Sequence, residues 1–219
     1  MTSQLKVDRI SPATGSEIII DGFSGGGGGS PSAVQIFTSS GTWTNPGVSM
    51  IMVEVQGGGG SGVRASTATT QNSGGGGGYA RKLIDVSSIS TATVTIGAGG
   101  AGSTTIDGMG DDGGDSIWSD GTNTLTGSGG AKGSSTDYTP GLGGTDSGGD
   151  LNISGGMGGI TTSPIGGFSF LGYSGQRQHY GSLVAGCDGV WGGGGATSRK
   201  ECGRGGNGGD GVVIVTEYK

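Results

Sequence analysis

The chain has 219 residues, of which 58 are glycine and 5 proline, and 17 acidic side chains against 11 basic ones set its formal charge at −6. That charge argues against a nucleic acid or an anionic membrane as partner, since either would want a basic stripe. The length allows one large domain or two small ones, but apolar residues make up only 30%, too few for a conventional side-chain core throughout.

No apolar signal-peptide core opens the chain, and its longest apolar run, around residues 48–53, is far too short to cross a bilayer. Synthesis as a soluble protein in a cytoplasm is therefore expected. Cys187 and Cys202 have no histidine partners at ligand spacing, so neither a disulfide framework nor a zinc site is supported. Two unlinked thiols, or a single loop-closing disulfide, are the readings that remain.

Residues 1–23 read as an attachment piece: LKVDRI and EIIID are short β-like runs, separated by a turn in SPATGS. Residues 24–31, SGGGGGSP, have the composition of a linker, and residues 32–219 form a glycine-rich distal domain. Within that domain VQIF predicts a strand, and turns at Gly41 and at Asn45, Pro46 and Gly47 flank Trp43, a candidate core anchor. The apolar run at 48–55 then enters glycines 57–60 without a turn signal. The C-terminal end has the same two parts in reverse, glycines from 203 to 211 followed by a strand over 212–218. Both strands are apolar at successive positions, with Glu54 and Glu217 toward one end, which predicts cover on both faces. Between them, YARKLIDVSS and residues 93–96 read as strands, the first with Ala80, Ile84 and Val86 on one face.

Beyond residue 102 the strand signals nearly vanish, and glycine blocks alternate with short variable insertions at irregular spacing. No window combines helix formers with a 3.6-residue period, so almost no helix is expected. Each glycine loses more backbone freedom on folding than any other residue and buries no side chain. Backbone pairing is the available compensation. Glycine runs can adopt polyproline II geometry, three residues per turn, leaving every N–H and C=O free to bond a neighbour. The expected fold is all-β: β-sandwich-like strands joined to a glycine-rich layer of polyproline II-like segments and long loops.

The ordered series SGTWTNPGVSMIMVEVQGGGGSG, GGGGGYARKLIDVS, VTIGAGGAG, GGDSIW and GGNGGDGVVIVTEY resembles the glycine-rich domain of bacteriophage tail fibre proteins, from about residue 37 to the end. The opening SQLKVDRI is similar to N-terminal segments of marine phage tail proteins. Glycine blocks joined by variable loops are also similar in style to the polyglycine-sandwich tip adhesins of T-even-like phages. The resemblance implies a homotrimer in the virion tail, docked on other tail or baseplate proteins by its N-terminus. Its distal part would touch a host receptor, a glycan or an outer-membrane protein.

The stretch 160–187 is the longest with few glycine pairs, and it holds Phe168, Phe170, Tyr173, Arg177, His179 and Tyr180. Aromatic rings on a Ser/Gly background offer a large rigid contact area at small entropy cost, the chemistry of a recognition loop. The alternative is that they fill a small core or a subunit interface. Tyr138 and Trp191 are further candidates for the same surface. Asp107, Asp111, Asp112, Asp115 and Asp120 lack the spacing and terminal glutamate of a calcium loop and read as solvated carboxylates, so no metal is expected. The lone His179 has no nucleophile in a recognisable setting, paired carboxylates on a strand scaffold are lacking, and the lysine in GSGGAKGS is misplaced for a phosphate loop. The expectation is a binding protein without cofactor or catalytic residues. A fibre-borne polysaccharide depolymerase and a purely structural virion component are the alternatives.

Overall fold

The computed structural model describes residues 10–12, 17–20, 31–66, 72–160, 165–176, 187–199 and 203–219. In chain order the strands are β1 (Ile10–Pro12), β2 (Glu17–Ile20), β3 (Pro31–Phe37), β4 (Gly41–Thr44), β5 (Met50–Gln56), β6 (Arg64–Ala65) and β7 (Tyr79–Asp85). They continue as β8 (Thr91–Thr95), β9 (Ser116–Ser119), β10 (Thr124–Gly127), β11 (Asp146–Ser147), β12 (Leu151–Ile153), β13 (Ser198–Arg199) and β14 (Val212–Tyr218). No helix occurs among the described residues. A seven-stranded sheet runs β1-β2-β3-β14-β5-β7-β12 and a five-stranded sheet β11-β10-β9-β8-β4, both antiparallel, while β13 and β6 pair in parallel.

The two strands singled out in the sequence, β5 and β14, are hydrogen-bonded neighbours, with Val212 opposite Gln56 and Tyr218 opposite Met50. Their alternation differs from the expected cover on both faces. Ile51, Val53, Val55, Val213 and Val215 are fully buried against Trp43, Val94, Trp118 and Leu125 of the second sheet, whereas Met50, Met52, Ile214 and Tyr218 on the outer face are half-buried. An open groove of about 400 Å³ lies on that outer face between Met50, Met52, Leu83 and Tyr218. Glu217 belongs to the buried face. Its carboxylate is retained there because Trp43 Nε1 donates to Oε1 at 2.9 Å and Gln35 Nε2 at 2.8 Å, as a buried charge requires. Trp43 is a core residue, tilted against Trp118 at 6.4 Å. The region in which strands were expected to vanish supplies the hairpin β9–β10, whose Trp118 and Leu125 close the core. Its strands have only four residues each and glycines on both sides, which is too short a pattern to stand out in the sequence.

Above the sandwich the strands run on into glycine, and the hydrogen-bond period changes from two to three. Along residues 57–63, Gly57, Gly60 and Val63 donate to the carbonyls of Gly78, Gly75 and Asn72; Gly58 and Ser61 to Gly114 and Asp111; Gly59 and Gly62 to Gly209 and Gly206. A thread whose N–H groups turn to a new neighbour at each residue and return after three is a polyproline II helix. Its carbonyls accept from three further threads: from Gly130 and Gly133, from Gly100, and from Gly195 and Ser198. The thread 72–78 is surrounded in the same way, donating toward 156–159, 192–195 and 128–131 and accepting from 57–63, 141–144 and Gly167. Side chains hold the two sheets apart in the sandwich. Without Cβ atoms the extensions of both sheets bond to one another directly, so the two layers become one lattice.

A thread inside this lattice has neighbours on every side and is almost all glycine and serine, with the larger Val63 and Asn72 at the thread ends. One on the perimeter turns every third residue outward and can carry a side chain there. Ala98 and Ala101 are exposed, as are Met109, Asp112 and Asp115, and Ser154, Met157 and Ile160.

Candidate functional site

Four perimeter threads lie side by side along one flank of the lattice. Gly155 and Gly158 donate to Gly144 and Gly141, Gly156 and Gly159 to Phe168 and Ile165, and Gly166 to Gly175. In that register Leu142 stands opposite Met157, with Phe168 on the next thread and Tyr173 on the one beyond. Outward third positions on these threads therefore carry large apolar side chains next to one another: Leu142, Met157, Ile160, Phe168 and Tyr173 are all exposed. Exposure reaches 63% at Phe168, 51% at Phe170, 65% at Tyr173 and 44% at Trp191. In the single chain these rings are exposed, Phe170 also packing inward on Tyr79, and together with Leu142 and Met157 they make an apolar ledge.

The ledge is built on two loops tied to each other. Ser169 Oγ donates to the Trp191 carbonyl at 2.8 Å and accepts from Gly172 N–H at 3.0 Å, while Val190 N–H donates to Tyr173 O at 2.9 Å. Trp191 sits at φ 44°, the left-handed region, and is followed by Gly192 at φ 79°. For a bulky residue that conformation stores strain of about 1–3 kcal/mol, held by the surrounding bonds. It turns the indole outward.

Beneath the ledge lies Gln56, the last residue of β5, fully buried where strand becomes thread. Its Nε2 donates to Gly77 O at 2.8 Å and to Gly78 O at 3.0 Å, and its Oε1 accepts from Phe170 N–H at 3.1 Å and Leu171 N–H at 3.3 Å. Beside it in the sheet, Tyr79 stacks on Phe170 with centroids 4.2 Å apart and donates its hydroxyl to Glu54. Burial first, and then the Glu54 carboxylate, push the Tyr79 phenol well above its ordinary pKa. At neutral pH the ring is an uncharged support for Phe170.

Of the residues nominated from sequence, Phe168, Phe170 and Tyr173 come together on the ledge, and Trp191 joins them. Arg177, His179 and Tyr180 lie outside the described residues. Tyr138 is exposed on a separate loop, whose Ser134 N–H donates to Thr139 O. Leu142, Met157, Gln56 and Tyr79 were not singled out. The signal for the first two is a large apolar residue between glycines in GLGG and GGMGG, which a period of three would have marked as outward. Gln56 is a polar residue at the glycine end of a core strand, and its partners lie 21 and 114 residues away.

The acidic stretch does not gather into a site, and no cluster of three or more metal-ligating side chains occurs among the described residues. Asp112 accepts from Lys132 N–H at 2.8 Å and Asp115 from Gly129 N–H at 2.9 Å, Asp107 accepts from Ser66, and Asp120 turns back on Thr122 and Asn123. Asp111 contributes its carbonyl to Ser61. Cys187 is a half-buried free thiol, and Cys202 lies outside the described residues.

In comparison with known proteins, the family model described as a glycine-rich domain matches residues 36–218. No curated protein matches the chain.

Proposed function

The chain belongs to the glycine-rich domain family, and from that premise we propose that it is a bacteriophage tail fibre protein that binds the host cell surface through the apolar ledge. The observation that carries this reading is the exposure of Phe168, Phe170, Tyr173 and Trp191 on a rigid backbone lattice, beside Leu142 and Met157. Rings held this way lose little freedom on contact, and a contiguous apolar patch is what a recognition surface requires. The motif series from residue 37 onward supports the tail-fibre part of the reading. A homotrimer docked on the virion through the N-terminal segment belongs to the same proposal, because three weak contacts on one particle act at high effective concentration.

Binding of the labelled protein to a panel of candidate host bacteria tests it. Phe168→Ala with Tyr173→Ala is expected to reduce adsorption at least tenfold while leaving the melting temperature within a few degrees. Full adsorption by that double variant, or lost adsorption accompanied by a collapsed melting temperature, would sink the ledge as the contact surface. Light scattering on the same sample reads the trimer.

A further inference from the structure

We propose that Gln56 is the positioning residue of the ledge: one buried amide fixes the Phe168–Tyr173 loop to the inner glycine thread and so sets the shape that the ledge presents. The inference rests on the binding reading above only for its biological meaning, since the positioning itself is a physical property of the free protein. A carboxamide has two N–H donors and an oxygen with two acceptor directions. All of them are used here. The donors face Gly77 O and Gly78 O, which belong to an inner thread, and the acceptor faces the backbone N–H groups of Phe170 and Leu171, which belong to the loop.

No ordinary thread contact could replace this link. At residues 168–172 the loop leaves the three-residue lattice register, and Phe170 and Leu171 make no backbone–backbone hydrogen bonds through their N–H groups. Ser169 ties the loop sideways to Trp191 and the Tyr79 ring supports Phe170, but among the described side chains Gln56 alone hydrogen-bonds the loop down to the inner thread. The amide is fully buried, so water is a poor substitute for it. A residue on a core strand thereby dictates where an aromatic ring stands on the surface, and the ledge meets its partner already in shape.

Site-resolved hydrogen exchange on the full chain tests this. In Gln56→Met, which keeps the length and loses the amide, the Phe170 and Leu171 amides are expected to exchange at least tenfold faster than in wild type. The amides of Gly58 and Gly130, which bond within the lattice, should keep their rates. A general loss of stability would instead speed all four together. Unchanged exchange at Phe170 and Leu171, or a uniform rise at all four, overturns the proposal. Should Gln56→Met fail to fold, the wild-type chain is read instead: exchange at Phe170 and Leu171 at least tenfold slower than at an unbonded amide supports the link, and free exchange there overturns it. Adsorption of Gln56→Met to host bacteria is measured separately: loosened amides with full adsorption refute the ledge as the contact surface while leaving the positioning role standing.

Discussion

A β-carbon at Gly76 would stand 2.1 Å from the carbonyl oxygen of Phe168 and 2.6 Å from its carbon, backbone atoms that cannot swing away. Gly76 donates to Gly156 O and accepts from Gly144 N–H, so displacement would break lattice bonds on two flanks and move the thread that carries Phe168. Gly76→Val is expected to cost more than about 3 kcal/mol, read as loss of a cooperative melt. Gly41, by contrast, has nothing within 4 Å of an added β-carbon and no positive φ. There Gly41→Ala should leave stability unchanged or raise it by up to about 1 kcal/mol, by narrowing the unfolded ensemble. Equal effects from the two substitutions would mean that the glycine layer is loosely packed. The pair isolates the close approach of backbones from glycine's flexibility.

Among the elements, the perimeter threads show how a lattice of glycine ends. An inner thread finds a carbonyl in each of three directions, but at the edge one direction opens on solvent. Side chains fill part of that gap: Asp112 and Asp115 take the N–H groups of Lys132 and Gly129, and Asn207 and Asp210 take those of Gly102 and Gly99. Both pairs are spaced three apart, in DGGD and NGGD, the spacing that returns a side chain to the same flank of a polyproline II helix. Replacing Asp112 and Asp115 together by alanine should free the Lys132 and Gly129 amides to exchange while costing only about 1 kcal/mol per site. Retained protection at those amides would show that the carboxylates decorate the thread rather than cap it. The acidic cluster thus has a structural role that composition did not reveal.

For the whole molecule, the lattice depends on the sandwich. Ordering a residue's backbone costs about 1–2 kcal/mol, which a single net hydrogen bond barely offsets, so threads need anchors. The anchors are covalent: β5 leads into 57–63, 72–78 leads into β7, β8 leads into 97–102, and 203–211 leads into β14. Ionisable groups whose pKa is shifted in the fold make stability depend on pH. Arg204 grips Asp188 through two bonds of 2.7 and 2.8 Å and holds its carboxyl below the usual range, and a hydrogen bond from Ser66 does the same for Asp107. A lowered folded pKa stabilises above the unfolded value, about 4, and that stability is lost as pH falls through the lowered one. Tyr79 acts in the opposite sense, its stabilisation complete below the unfolded value near 10 and lost above it. Melting temperature against pH should therefore decline at both ends. Asp188→Asn should flatten the acid limb, and Tyr79→Phe the alkaline one; limbs that stay as steep in these variants would locate the titrating groups elsewhere.

The sequence by itself determined the all-β class, a strand within the apolar run 48–55 and one at 212–218, the buried Trp43, and a glycine layer with polyproline II geometry. These are local properties: an apolar run with β-branched residues favours a strand, and only a tract lacking β-carbons lets backbones approach closely enough to bond on every side. It also placed Phe168, Phe170 and Tyr173 on a candidate surface. Tertiary structure alone decided which threads are neighbours, that Leu142 and Met157 extend the aromatic ledge, that Gln56 holds it, and that Glu217 faces the core. The reason is that a glycine carries no side chain to specify its partner. Register in the lattice is set by backbone bonds in three directions at once, and those directions exist only after the two sheets have brought the threads together.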